Sequence, residues 1–252
     1  MRGDDPAPGR IVGLRARRLQ RFLTDRKSGA AELAQAALAI MEEARGRDAS
    51  PTQLERLAHR LCRAHPTMAS VWNAAHATEP AAFGRALRRD VRATVRTARR
   101  HLPSRAVVLT LSYSSTVLAA LSRRDLRVVV GESLPGGEGR TTARRLSRDG
   151  ITARVVPDTM MAVAAQRGDC GVVGADAVTP DTVINKVGTR LLALACQDAD
   201  IPCYVLADSS KFVSAEWPQP DLARHRLFEA TPRHIFTAVL SGGPQAETGS
   251  AV

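Results

Sequence analysis

From residue 106 onward, six short apolar runs rich in β-branched residues recur along the chain, at 106–111, 126–130, 151–156, 171–174, 203–207 and 235–240. Runs of this length that do not alternate with polar residues suit strands buried on both faces. Helix-forming segments at 116–123, 138–148 and 189–198 fall between most of them. Strand and helix in alternation make an open parallel sheet with right-handed crossovers the most economical topology.

The first hundred residues read differently. Leu33, Ala37, Ile40, Met41 and Ala44 recur at helical spacing. Ser50-Pro51-Thr52-Gln53 supplies a cap, a first-turn proline and a capping-box glutamine, ahead of a stripe of Leu54, Leu57, Ala58 and Leu61. A third helix starts near Pro80, with Phe83, Leu87, Val91 and Val95 expected on its buried face. The expected fold class is therefore α/β: a small N-terminal helical domain (1–103), then a Rossmann-like open, mainly parallel sheet with helices on both faces (104–241). A Gly/Ser-rich tail (242–252) is expected to be disordered.

Composition narrows the class. No apolar run approaches the roughly 18 residues of a membrane span, and the N-terminal stretch MRGDDPAPGR holds no apolar signal core. The four cysteines, Cys62, Cys170, Cys196 and Cys203, form no C-x-x-C pair, so reduced, buried thiols of a cytoplasmic protein are expected. The net charge of +11 invites a nucleic-acid reading. Residues 1–100, however, carry 20 basic against 10 acidic residues, leaving the rest nearly neutral. Only three basic residues are lysine (Lys27, Lys186, Lys211), and aromatics are 4%, too few for base-stacking platforms. Nucleic acid is thus not the expected partner. RNA binding by the arginine-rich third helix is kept as a separate class, with a steep salt dependence as its mark.

In an open parallel sheet the chemistry gathers beyond the carboxyl ends of the strands. After the first run comes Ser112-Tyr113-Ser114-Ser115-Thr116, hydroxyls leading into a helix N-terminus that suits phosphate. After the second comes a glycine-rich turn at 132–140 that lacks the G-x-G-x-x-G spacing and instead carries Arg140 toward an anion. After the fourth stands Asp176, an acid whose burial would raise its pKa and suit it to proton transfer. Asn185, Lys186 and Lys211 follow at the same edge. Together they are expected to converge on one small, doubly anionic metabolite. The histidines share no metal-ligand spacing, and neither a metal nor another cofactor is expected.

The stretch GADAVTPDTVINKVGTRLLALACQDADIPCYVLADSSKF resembles the signature of the initiation factor 2B alpha/beta/delta superfamily, which also holds methylthioribose-1-phosphate isomerase and ribose-1,5-bisphosphate isomerase. Similar matches at 28–33, 66–69, 109–116 and 228–232 extend the resemblance over residues 25–240. It implies an aldose–ketose isomerisation of a phosphorylated pentose, in which a cysteine and an aspartate move protons between C1 and C2. Asp176 takes the aspartate's place. Gly29, Ala30, Ser114, Ser115, Thr116, Asn185, Lys186 and Lys211 take the binding positions. Three positions depart from the isomerases: Ser112 stands for the cysteine, Ser28 for an N-terminal arginine and His65 for another. His65 is kept as a phosphate ligand. Because a hydroxyl is a far weaker acid than a thiol of pKa roughly 8.5, the alternative is a non-catalytic initiation factor 2B-like regulatory subunit. Such a subunit would bind a phosphorylated sugar or nucleotide-derived metabolite and form a homodimer or higher homo-oligomer.

Overall fold

The structure, a computed structural model, describes residues 16–242 apart from Lys27, Ser214 and Ala215. The first fifteen residues and the tail from 243 lie outside the described residues. Gly242 is held in place, its N–H donating to Thr94 Oγ1 at 3.0 Å.

Five helices come first: α1 (Ala16–Thr24), α2 (Ala30–Arg45), α3 (Pro51–Ala64), α4 (Ala69–Ala75) and α5 (Pro80–His101). The Ser50 box forms as expected, with Gln53 N–H donating to Ser50 Oγ and Ser50 N–H to Gln53 Oε1. Leu33, Ala37, Ile40, Met41 and Ala44 are all buried, and Leu57, Ala58 and Leu61 face them. The third expected stripe drifts. Leu87 is buried as expected and Phe83 and Val91 partly so, but positions four apart advance 40° beyond a full turn, so by Val95 the face has rotated and Thr94 and Ala98 are buried in its place. The short helices α1 and α4 had no sequence signal of their own.

The six apolar runs supply the strands of one sheet: β1 (Val107–Leu111), β2 (Arg127–Gly131), β3 (Thr152–Val156), β4 (Cys170–Gly174), β7 (Cys203–Leu206) and β9 (Ala238–Leu240). All pair in parallel, in the spatial order β3-β2-β1-β4-β7-β9. Alternation along the strands buries both faces. Val108, Val128, Val130 and Val172 pack on one side with α5, α6 (Ser115–Leu121) and α7 (Glu138–Arg148). Leu109, Leu111, Val173 and Val205 pack on the other with α8 (Met161–Ala165) and α9 (Thr189–Asp198). Of the cysteines, Cys170, Cys196 and Cys203 are buried, whereas Cys62 is only partly so.

A second sheet was not anticipated. The strands β5 (Ala177–Val178), β6 (Thr182–Lys186) and β8 (Phe228–Pro232) pair antiparallel in the order β5-β6-β8. Ile184 and Ala177 of this sheet share a small cluster with Ala69 and Trp217, which ties it to α4. The Ala69 N–H donates to the Asp176 carbonyl at 3.0 Å.

The glycine-rich turn docks closely on the main sheet. A Cβ on Gly139, near the start of α7, would lie 1.8 Å from the Gly131 carbonyl oxygen at the end of β2. Backbone has to move to admit it, so Gly139→Ala is expected to lose roughly 1–3 kcal/mol, as overpacked sites do. Urea unfolding measures this; an unchanged midpoint would show that α7 does not need this close approach.

Candidate functional site

The strand order reverses direction between β1 and β4. Chain segments leaving their carboxyl ends diverge there, and such a switch point opens a crevice for ligand. A narrow hollow of about 20 Å³ occupies the spot, well short of the roughly 300–1,000 Å³ usual for small-molecule sites, so a metabolite-sized ligand has to part its walls. The turn Tyr113–Ser115 lines one wall, the end of β4 through Asp176 lines another, Asn185 and Lys211 close the side, and Gly29–Ala31 at the start of α2 form the roof. Gly174 makes this possible. A Cβ there would meet Ser114 Oγ at 2.7 Å, so only glycine lets the two strand ends converge. Larger recesses elsewhere are open grooves, one of them along the exposed Arg56, His59, Arg60 and Arg63 of α3.

Asp176 is half-buried at the base of the hollow. Desolvation raises its carboxyl to about 6, and the positive charges of Lys211 and Lys186 oppose the rise. Lys211 is 3% exposed, and its ammonium makes no hydrogen bond or ion pair among the described residues, whereas its backbone N–H donates to the Asp208 carbonyl at 3.0 Å. The one-turn helix Ser209–Lys211 that carries it starts on Asp208, whose Oδ1 accepts from the Ser210 N–H. Asn73 of α4 braces the same loop, its Nδ2 donating to the Ser210 and Phe212 carbonyls at 2.8 and 3.0 Å. Asn185 donates through Nδ2 to Thr189 Oγ1 at 3.0 Å.

Not every residue named from sequence reaches the hollow. Gly29, Ala30, Ser114, Ser115, Asp176, Asn185 and Lys211 line it. Ser114 also caps α6, accepting from the Val117 N–H. Thr116 is buried one residue inside that helix, and its Oγ1 finds no partner among the described residues. Lys186 lies within electrostatic reach of Asp176, yet its Nζ donates to Glu138 Oε1 at 2.9 Å. Arg140 turns outward, paired with Glu132. His65 is buried away from the hollow at the end of α3, with Nε2 on the Phe22 carbonyl at 3.0 Å and its ring edge-on to Phe22. Burial holds its pKa below the ordinary imidazole value, which favours the neutral ring. The steric cause is α1, which sequence had not revealed and which covers the position.

Ser112 is also outside the lining. Its backbone is left-handed (φ 59°) and clamped, the N–H donating to Ser133 Oγ and the carbonyl accepting from Thr142 Oγ1, both at 2.6 Å. Ser133 and Leu134 in turn donate their N–H groups to Asp158. These bonds knit the ends of β1, β2 and β3 together.

Sequence reasoning missed the roof's fastening. Tyr113 donates to Glu32 Oε1 at 3.0 Å, Gly29 N–H donates to Glu32 Oε2 at 2.8 Å, and the Arg145 guanidinium sits over the Tyr113 ring at 4.7 Å. Desolvation and then the Glu32 charge push the Tyr113 phenol up to about 12. The Gly-x-x-Glu spacing at the start of α2 carried half of this signal as a capping pattern. Its second half, a tyrosine 81 residues on, had none.

Residues 15–226 match the Initiation factor 2 subunit family, so the chain belongs to that family. A Pyrococcus abyssi protein named eIF-2B subunit 2-like is 41% identical over 112 residues, which are 42% of this chain and 41% of that protein. A ribose 1,5-bisphosphate isomerase of Archaeoglobus fulgidus is 33% identical over 42% of this chain and 36% of its own length. The chain thus spans about two fifths of the relatives it matches in sequence. The crystal structure of Pyrococcus horikoshii translation initiation factor eIF-2B superposes with a TM-score of 0.81 at 27% identity, covering 94% of this chain and 96% of that one.

The raised carboxyl of Asp176 has a stability consequence. Its folded pKa of about 6 exceeds the roughly 3.9 of an unfolded chain. The folded state therefore binds more protons between those values, and stability falls as pH rises from about 4 through 6. Asp176→Asn removes that loss. The variant is expected to exceed wild type by on the order of 2–3 kcal/mol at pH 8, with the gain vanishing near pH 4. Chemical denaturation at both pH values measures it, and a pH-independent difference would contradict the carboxylate's burial.

Proposed function

We propose that the chain binds a phosphorylated sugar, or a related nucleotide-derived metabolite, in the hollow at the β1/β4 switch point. One observation carries this reading: Lys211, a buried ammonium with no hydrogen-bonded partner among the described residues, faces a cavity roofed by the first turn of a sixteen-residue helix. Free N–H groups and the positive helix end there suit a phosphate. In this reading Asp176 stands beside the sugar. A carboxyl near pKa 6 can both give and take a proton at neutral pH. It would take the proton from C2 and return one to C1, while the ring C1–O4 bond breaks, O4 takes up a proton, and O2 gives one up as C2 becomes the carbonyl. The test incubates the protein with ribose 1,5-bisphosphate and with methylthioribose 1-phosphate and assays for the ketose. Turnover reduced at least 100-fold by Asp176→Asn is the expected result for an acid–base residue. Turnover unaffected by the substitution would rule Asp176 out.

The second reading, a non-catalytic regulatory subunit, is favoured by Ser112. Its hydroxyl belongs to a poorer acid than the isomerases' thiol, and it stands outside the hollow's lining. That reading expects saturable, phosphate-dependent binding without turnover.

Self-association is part of both readings. Met160 just before α8, Val163 on it, Leu191 and Leu194 on the adjoining α9, and the hydrogen-bonded pair Val187 and Leu227 are exposed large apolar residues. A patch of this kind marks an interface. A second copy is the fitting occupant, because the chain beyond residue 100 holds 16 basic and 15 acidic residues and two such halves approach without repulsion. Light scattering should give a dimer, and Leu191→Glu with Leu194→Glu a monomer. A monomeric wild type would refute the interface.

A further inference from the structure

We propose that the hollow accepts a ligand bearing a single phosphate, and that Glu138 is the specificity residue that disfavours a second. The inference rests on the sugar-phosphate reading and narrows its substrate class. It narrows the doubly anionic ligand expected from sequence to one whose charge sits on a single phosphate, close to dianionic at neutral pH, and the reason is where each cation's charge goes.

Four basic side chains were expected to reach the ligand. Two of them, Arg140 and His65, are engaged elsewhere, with Glu132 and with the Phe22 carbonyl. At the α2 entrance, Ser28 adds no cation, and its hydroxyl donates to Asp25 at 2.8 Å. Lys186 is 4% exposed, and Glu138 already holds its ammonium. Lys211 is the one basic side chain among the described residues that line the hollow, and it holds no hydrogen-bonded carboxylate, although Asp176 lies within reach of its charge.

Glu138 is placed there by the backbone. It opens α7 directly after Gly136 and Gly137, the latter at φ 70°. Its Oε1 meets Lys186, while its Oε2 is buried without a partner among the described residues. Lys186 therefore stands between two carboxylates, Glu138 in contact and Asp176 within electrostatic reach. Lys211 acts on Asp176 more strongly than Lys186 does, so with both acids ionised the two lysines and two carboxylates balance, and no surplus positive charge is left for a second phosphate. Within the hollow itself, Lys211 lines the wall together with the start of α2, where Ala30 and Ala31 have orphan N–H groups. One phosphate is matched there. A second, at the far end of a pentose, would have to displace Glu138 or lie against it.

Calorimetric titration of wild type at pH 8 with ribose 1-phosphate, ribose 5-phosphate and ribose 1,5-bisphosphate tests this directly. At least one monophosphate is expected to bind tenfold or more tighter than the bisphosphate. Glu138→Gln, checked for folding by circular dichroism, removes the carboxylate charge at Lys186 and is expected to raise bisphosphate affinity at least tenfold. Lys211→Met should weaken every ligand. Wild type preferring the bisphosphate, or Glu138→Gln leaving the preference unmoved, would overturn the inference while the sugar-phosphate reading stands. Binding of none of the three would overturn that reading itself.

Discussion

A carboxylate taken out of water at the end of a buried strand has to be balanced by charge within a few ångströms, and the site is organised around that requirement. Asp176 follows directly on β4, and desolvation is the largest influence on it. Lys211 and Lys186 arrive from two other elements, a one-turn helix after β7 and the last residue of β6. Lys186 is placed by the second sheet, whose hairpin returns the chain to the same edge, and Phe212, next to Lys211, bridges to Val178 of that sheet. The small antiparallel sheet is therefore best understood as a bracket for charge.

The helical half serves the same end from the other side. Its own core, built on α2, α3 and α4, fixes α2 so that its N-terminus points at the switch point. The Glu32–Tyr113–Arg145 network then fastens this roof to the turn after β1 and to α7. α4 reaches down in two places, to the Asp176 carbonyl through Ala69 and to the Lys211 loop through Asn73. The segments carrying the acid and its cation are thus held by hydrogen bonds from a helix of only seven residues, one from the Ala69 main chain and two from the Asn73 side chain.

The six parallel strands were legible because burial on both faces writes a continuous apolar run, a signal that depends on neighbouring residues only. The small sheet was not, since β5 spans two residues and β8 reads FEATP, without a run or an alternation. Asp176, Asn185 and Lys211 were legible because strand ends locate themselves once strands are found. What sequence could not give was the direction of long side chains. Arg140 and Lys186 both stood at the right edge, yet one turns out to Glu132 and the other is held by Glu138. His65 was misjudged because α1, which sequence had not identified, covers it.

The position of Ser112 shows the same limit in its sharpest form. A resemblance assigns it by alignment to the place of an acid–base thiol. Its left-handed backbone and the two short hydrogen bonds that clamp it instead make this residue a joint between three strand ends. A side chain larger than hydrogen in that conformation is strained, and strain persists only where surrounding bonds impose it. Those bonds run to Ser133 and Thr142, and through Ser133 to Asp158. The strand-end joint is therefore built on the main chain of residue 112 and leaves the identity of its side chain open. Retention of the joint does not depend on a thiol, and a chain can keep the geometry of the hollow while changing the chemistry offered at its edge.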